Sequence, residues 1–421
     1  MLLTLKNIGK IQTANIELNG ITVIAGENNT GKSTVGKVLY SVFNSFYRIS
    51  SQIERERTES VRKILEFIYP SAIRTPMRGD SEELARNIVN SLNLFSNDKT
   101  LLEREIRNNM GQYDKNSENT EYLMEITASI DNIQKVLNVS DEDIFRTVLS
   151  KTLNVEFDGQ INNIFIEEEG TIELKIKGTN VSVSVKDNGV EFVKNKFSLN
   201  TQVVYVDDPF VLDDSRYSYF VFRYGAYMTH RDHLRSMLFG QQNSNVIEEI
   251  LTSDKLESIY SRINPICNGS IIRDKRSGLG YKISGTEKVL NIRNLSTGLK
   301  AFVILKTLLQ NGILEEKGTI VLDEPEIHLH PAWQLLFAEL IVLLQKEFNM
   351  HILLTTHSPY FLQAIEVYSA KYEIADKCRY YLSSVTNDIA RIDDVSANVE
   401  LIYQKLARPL QDLENERYNN D

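Results

Sequence analysis

The stretch Gly26-Glu27-Asn28-Asn29-Thr30-Gly31-Lys32-Ser33-Thr34 fits G-x-x-x-x-G-K-[ST] at every required position. Before it, Ile21–Ala25 is apolar apart from Thr22, the pattern of a strand buried on both faces. After Gly31, the residues Val35, Val38, Leu39, Val42, Phe43 and Phe46 fall on one helical stripe. A loop with two glycines between such a strand and helix can wrap its backbone N–H groups around phosphate oxygens, and the helix N-terminus adds a favourable field. Gly26 through Thr34 are therefore the expected nucleotide contacts. Lys32 is expected to reach the β- and γ-phosphates, and the Ser33 hydroxyl to ligate Mg²⁺. The bland alternative is a glycine-rich turn, which the flanking strand and helix disfavour.

Upstream, Leu2–Ile8 and Ile11–Leu18 read as strands punctuated by Gly9 and Asn19-Gly20. Downstream, amphipathic helices are expected over Ile53–Tyr69, Glu82–Phe95 and Glu121–Leu137, joined by polar segments such as Ser96–Lys99 and Asn108–Asn119. No heptad pattern persists across those breaks, which argues against a long coiled-coil arm. From Leu153 the period falls to two: Thr171–Lys177 and Val181–Val185 alternate, and Asp187-Asn188-Gly189 marks a hairpin. A second buried strand is expected at Val203–Val206, a helix at Val246–Ile263, and strand-then-helix pairs begin at Thr319–Leu322 and His351–Leu354. The fold class is thus α/β, a core carrying a helical and antiparallel-β insertion. Residues 1–50 form its N-terminal part, 51–150 the helical insertion, 151–200 the β meander, 201–410 the C-terminal part, and 411–421 a polar tail expected to fray.

Three more segments carry chemistry. Ile320-Val321-Leu322-Asp323-Glu324-Pro325 delivers two carboxylates at the C-terminal edge of a strand, where α/β sheets place ligands. Asp323 is expected in the Mg²⁺ shell, and Glu324 to polarise or deprotonate the attacking water. Leu295-Ser296-Thr297-Gly298-Leu299 opens a helix and, alone, reads only as a cap. Leu354-Thr355-Thr356-His357-Ser358-Pro359 ends a buried strand in a histidine.

Taken in order, these segments resemble the ATP-binding-cassette class of P-loop ATPases. Leu295–Leu299 looks like a variant of that class's L-S-G-G-Q signature, departing at Thr297 and Leu299. L-D-E-P-E-I-H-L-H-P at Leu322–Pro331 and L-L-T-T-H-S-P at Leu353–Pro359 resemble, more narrowly, the AAA-15/AAA-21 and OLD-type ATPases, closer to SMC-like heads than to transporter subunits. The resemblance spans roughly residues 1–50 and 200–370. It implies an ABC/SMC-type P-loop head, ATP and Mg²⁺ as cofactors, hydrolysis to ADP and phosphate, and catalytic roles for Lys32, Glu324 and His357, the last as a γ-phosphate sensor. It also implies a homodimer or higher oligomer in which Ser296 and Gly298 of one copy meet the nucleotide of the other. The family's Q-loop residue falls to Asp208 or Gln202, although Asp208-Pro209 reads better as a plain strand-ending turn.

Other polar residues have two readings. His328 and His330 suggest a metal, yet no further soft ligand stands nearby. His230 and His233 are either catalytic or on the polar exposed face of a helix, the latter favoured. Arg273-Asp274-Lys275-Arg276 could meet phosphate but reads better as a solvated hairpin.

With 421 residues the chain can bury a sizeable core, and its net charge of −10 excludes a wholly basic nucleic-acid coat. Two cysteines cannot make a disulfide framework, the N-terminus lacks a secretory pattern, and no apolar run reaches the ~20 residues of a membrane span. A cytoplasmic protein without membrane partners is expected. What the ATPase drives has competing answers. OLD-type proteins often carry a Toprim nuclease after the ATPase, and the stretch after His357 is too short for one. The resemblance therefore points to a separately encoded effector, nuclease or toxin, in antiphage defence. An SMC-like repair or chromosome ATPase clamping DNA, with nucleic acid as partner, and a non-hydrolytic scaffold are the alternatives.

Overall fold

The computed structural model describes residues 1–68, 78–110, 120–213, 227–240, 246–274 and 278–419. In chain order, β1 (Leu2–Ile8), β2 (Ile11–Glu17) and β3 (Ile21–Gly26) lead into α1 (Lys32–Phe46). Helices follow: α2 (Ile49–Ile68), α3 (Arg78–Asn90), α4 (Leu92–Phe95), α5 (Lys99–Met110), α6 (Thr120–Asn138) and α7 (Asp141–Glu156). Next come β4 (Gly170–Ile176), β5 (Thr179–Lys186), β6 (Gly189–Lys194), β7 (Val203–Val206), α8 (His230–Phe239) and α9 (Val246–Ile263). The chain continues through β8 (Gly269–Asp274), β9 (Gly278–Ile283), β10 (Val289–Asn291) and α10 (Thr297–Gln310). It ends with β11 (Thr319–Asp323), α11 (Pro331–Phe348), β12 (His351–Thr356), α12 (Pro359–Lys371), β13 (Cys378–Thr386), β14 (Ile389–Asp394) and α13 (Glu400–Asn419).

Contacts divide the chain into two units. The larger comprises Met1–Tyr47, Leu149–Lys196 and Asn200–Asp421, and the smaller comprises Arg48–Val148 with Phe197–Leu199. The larger unit is a mixed α/β structure around an eleven-stranded sheet ordered β6-β5-β4-β1-β2-β14-β13-β3-β12-β11-β7. From β13 to β7 neighbouring strands run parallel, whereas β6-β5-β4-β1-β2 is antiparallel throughout. The parallel strands are buried on both faces, which is why β3 and β11 read as continuous apolar runs. The predicted stripe of α1 (Val35, Val38, Leu39, Val42, Phe43 and Phe46) is buried. Gly36 lets this helix lie close to the sheet: a Cβ there would meet Val321 Cγ1 at 2.9 Å and the Tyr205 ring at 3.1 Å. Another apolar cluster gathers Val23, Leu322 and Leu354 with Phe302 of α10, Leu340 of α11 and Phe361 of α12.

The smaller unit is helical, with its own core of Val61, Leu65, Leu84, Ile88, Leu102, Ile106, Ile126, Ile130 and Ile133. Buried Arg57 donates to the carbonyls of Val136, Leu137 and Val139 and pairs with Asp141 at 2.6 Å. It thereby satisfies the last carbonyls of α6, which a helix leaves without partners.

Several sequence expectations are corrected. Lys99–Met110 is helical and was not anticipated, because its apolar positions are sparse. The two-residue period begins at Gly170 rather than Leu153, since α7 runs to Glu156. The β13–β14 hairpin, turning at Asn387-Asp388 with φ of 51° and 62°, was missed. The tail expected to fray from Gln411 is helical through Asn419. Among the described residues, no helix is long and apolar enough to cross a membrane.

Candidate nucleotide site

Strand register gathers the predicted residues. Ala25 of β3 pairs with Thr356 of β12, Thr355 with Asp323 of β11, and Leu322 with Val206 of β7. Gly26, His357, Glu324 and Asp207 therefore follow at the same C-terminal edge, the usual ligand edge of a parallel sheet. Between β3 and β11 lies β12, so the histidine is delivered between the glycine-rich loop and the Asp-Glu pair.

In the loop, Gly31 has φ 85°, and a Cβ there would meet Ile11 Cγ1 at 2.9 Å. Asn29 is also left-handed (φ 61°), and Glu27, Asn28 and Asn29 are exposed. The Thr30 hydroxyl donates to the Glu27 carbonyl at 2.8 Å and the Ser383 hydroxyl to the Thr30 carbonyl at 2.6 Å, pinning the loop to β13. Thr34 N–H returns to the Gly31 carbonyl at 3.1 Å. No side chain caps α1, unlike α10, α11 and α12, which Ser296, His330 and Ser358 cap. Among the described residues no capping side chain meets the amides of Lys32 and Ser33, as an anion-binding helix end requires. Lys32 is 4% exposed and folds back over the loop, its Nζ 3.1 Å from the Gly26 carbonyl, 2.8 Å from that of Glu27 and 3.3 Å from Glu324 Oε1.

Asp323 is buried, with one carboxylate oxygen accepting from the Thr355 hydroxyl and the other from the Tyr205 hydroxyl at 2.9 Å. Glu324 adopts φ 48°, held by Thr355, whose Oγ1 lies 3.0 Å and carbonyl 3.2 Å from its N–H. Its carboxylate stands between Lys32 and His357 Nδ1, the latter at 3.4 Å. Glu326 is 2% exposed; one oxygen accepts from the Thr356 hydroxyl and from His357 N–H. Burial holds its carboxyl above the usual range, against those two hydrogen bonds.

The expectation of an exposed polar face for α8 is overturned. His230 is 7% exposed, its Nδ1 2.6 Å from Glu156 Oε1 and its Nε2 3.0 Å from Asp207 Oδ2. Burial alone would lower its pKa; the two carboxylates outweigh that and raise it to about 9. Burial would raise Asp207, but His230 and Arg231 bring it down to about 2. His233 is lowered by burial to about 4 and faces Gln202 Oε1 at 3.1 Å. Gln202 therefore bonds α8, while Asp208 accepts from Phe210 N–H at 2.8 Å and caps the turn after β7. The residue from this strand that touches Asp323 is Tyr205, which sequence reading left as one apolar position of a buried strand. A tyrosine in such a strand needs a partner for its hydroxyl, and that was the available signal.

Ser296 caps α10, its hydroxyl accepting from Leu299 N–H at 3.4 Å. Ser296, Thr297 and Gly298 line a cleft of about 490 Å³ with His328, His330 and Trp333. A Cβ at Gly298 would crowd the His328 carbonyl at 3.0 Å and the Trp333 ring at 3.2 Å. Among the described residues, no hydrogen bond or ion pair joins Ser296–Gly298 to the glycine-rich loop or to Glu324. His330 Nδ1 accepts from Ala332 N–H at 3.3 Å, a cap rather than a metal ligand. The side chains of Arg273–Arg276 lie outside the described residues.

The donors at the edge suit Mg²⁺. Asp323 offers hard oxygens, and among the described residues no cation pairs with this buried carboxylate. No group of three or more His, Cys, Asp or Glu among them could hold a metal alone. A Mg²⁺ ion would thus come with phosphate oxygens, as is usual for this ion.

A G-x-x-x-x-G-K-S loop between a buried strand and helix, with an Asp-Glu pair two strands away, is the sequence and topology of the P-loop class. Within it, the chain belongs to the AAA_21 family, described as "AAA domain, putative AbiEii toxin, Type IV TA system", which matches residues 21–363. A protein called "Retron Vc95 probable ATPase", from Vibrio cholerae serotype O1 biovar El Tor, is 23% identical over 384 residues, covering 86% of this chain and 70% of that protein. Solved structures with similarity include the SMC head domain from Thermotoga maritima (12% identity, TM-score 0.39, 94% of this chain and 98% of that one). A second is the Smc head domain with an extended coiled coil bound to the C-terminal domain of ScpA, derived from Pyrococcus furiosus (12% identity, TM-score 0.41, 99% and 98%).

Proposed function

We propose that this chain binds Mg-ATP on Gly26–Thr34 and hydrolyses it, in a dimer that controls a separately encoded nuclease or toxin in antiphage defence. The observation that carries the reading is the placement of Glu324 between Lys32 and His357 beside Asp323, at the edge where the loop ends. Ser33 and Asp323 would hold Mg²⁺, which would supply charge neutralisation for the β- and γ-phosphates. Lys32 moves from the Gly26 and Glu27 carbonyls onto phosphate. That releases Glu324 from its ion pair, and Glu324 accepts a proton from the attacking water, while His357 donates to the γ-phosphate. Ser296 and Gly298, which among the described residues share no hydrogen bond or ion pair with this cluster, serve the nucleotide of a second copy. ATP thereby favours the closed dimer, and hydrolysis removes the contacts that close it.

Support for the defence setting comes from the toxin-system description of the family and from the relative named as a retron ATPase. The test is Glu324→Gln beside Lys32→Ala. Glu324→Gln should retain ATP and lose hydrolysis at least about 100-fold, the contribution of a positioned base. Lys32→Ala should weaken ATP binding about 10- to 100-fold, the scale of one charged hydrogen bond. Hydrolysis at the parental rate by Glu324→Gln overturns the assignment.

A further inference from the structure

We propose that Tyr205 is the positioning residue that presents the Asp323 carboxylate at the nucleotide site, and that an ion cluster of Glu156, His230 and Asp207 holds Tyr205 in place. This rests on reading Asp323 as the carboxylate of the metal shell.

Tyr205 is 1% exposed, and its single hydroxyl proton has two acceptors within reach. Asp323 Oδ2 is 2.9 Å away and the Ser33 carbonyl 3.5 Å, so the carboxylate takes the bond. With Thr355 on the other oxygen, each oxygen of Asp323 receives one hydroxyl donor and keeps a lone pair for another partner. A phenol keeps its proton at neutral pH, so Tyr205 is the donor and the carboxylate the acceptor.

The ring has a close neighbour at its hydroxyl end and another on its face. Toward α1 it lies against Gly36, where a Cβ would come within 3.1 Å. Behind it, the His230 ring stacks at 4.2 Å with an interplanar angle of 23°. His230 is tied by Glu156 at Nδ1 (2.6 Å) and at its backbone N–H (3.0 Å), and by Asp207 at Nε2 (3.0 Å). Arg231 fixes Asp207 in turn, its Nε 2.8 Å from Oδ2. Glu156 and Asp207 bracket the buried His230 ring, and Arg231, at the exposed rim, also reaches Asp208 at 3.7 Å. A buried ion cluster costs more to desolvate than apolar side chains of the same volume, so packing alone does not account for it. What it gives is a fixed plane for Tyr205, two residues before Asp207 on the same strand end.

The experiment titrates a fluorescent ATP analogue first in EDTA and then against Mg²⁺, for the parent, Tyr205→Phe, His230→Gln and Asp323→Asn. Binding in EDTA reports an intact loop. Tyr205→Phe should keep that affinity and raise the Mg²⁺ concentration for the half-maximal signal about 10-fold, the effect of one hydrogen bond to a charge. His230→Gln should shift it in the same direction by about 3-fold, a smaller effect because it acts through the ring. If Asp323→Asn shifts the Mg²⁺ midpoint and the other two do not, the positioning role is overturned while the metal-shell reading stands. If Asp323→Asn leaves the midpoint unchanged, the metal-shell reading falls and the positioning role with it. Should Tyr205→Phe fail to bind in EDTA, His230→Gln decides alone: a shift supports the role and an unchanged midpoint overturns it.

Discussion

Glu324 occupies a left-handed backbone conformation (φ 48°) that a glutamate adopts only when its surroundings impose it, and Thr355 does so through two bonds to its N–H. That aims the carboxylate at Lys32 and His357 rather than along the strand. The same economy of position governs His230, whose charge also couples the fold to pH. Its pKa is about 9 in the folded chain, above the ordinary value near 6.5. Its contribution is therefore complete below pH 6.5 and is lost as pH rises through 9. The thermal midpoint should fall across that window, with up to about 3 kcal/mol at stake. His230→Gln should flatten the alkaline slope, and an unchanged slope in melts at several pH values would contradict the assignment. His233, lowered by burial to about 4, works the other way, costing stability as pH falls below 6.5. At this scale the sequence was legible where chemistry is local: the glycine-rich loop, the Asp-Glu pair and the strand-ending histidine each carry their own signal. Tyr205 and Asp323 lie 118 residues apart, and nothing in either neighbourhood announces the other. Glu156 was hidden likewise, at the end of a helix taken for part of a meander.

Elements were legible in proportion to their periodicity. β3, β7, β11 and β12 sit on both-face-buried runs, and α1 follows a clean stripe; all five were read within two residues of their ends. α5 was missed because Leu102 and Ile106 alone mark its buried side, and β13–β14 because an Asn-Asp turn is a weak hairpin signal beside Asn-Gly. In the helical unit, Arg57 closes the end of α6. Replacing it with Met keeps the aliphatic stem and strips three carbonyls and Asp141 of their donor, at a cost of about 3 kcal/mol. Hydrogen exchange should accelerate across α2 and α6 in Arg57→Met. Protection equal to the parent's would show that the guanidinium is dispensable there.

For the whole molecule, among the described residues no hydrogen bond or ion pair links Ser296–Gly298 to Lys32, Glu324 or His357, and a prediction about copies rather than residues follows. Lys32→Ala and Ser296→Arg should each be inactive alone. Mixed in equal amounts, half the dimers pair one of each, and every such dimer holds one complete site. About a quarter of parental hydrolysis should return if the signature works across a two-fold dimer. If each chain is complete by itself, mixing restores nothing. The central claim, that Glu324 drives the chemistry of a bound ATP, is tested most directly by a single-turnover measurement of phosphate release. Parent and Glu324→Gln proteins are each mixed, in excess, with γ-labelled ATP and Mg²⁺, and both bound and released label are counted. The parent should release its label while Glu324→Gln retains it as intact ATP, slowed at least about 100-fold. Release at the same rate from both proteins would contradict it.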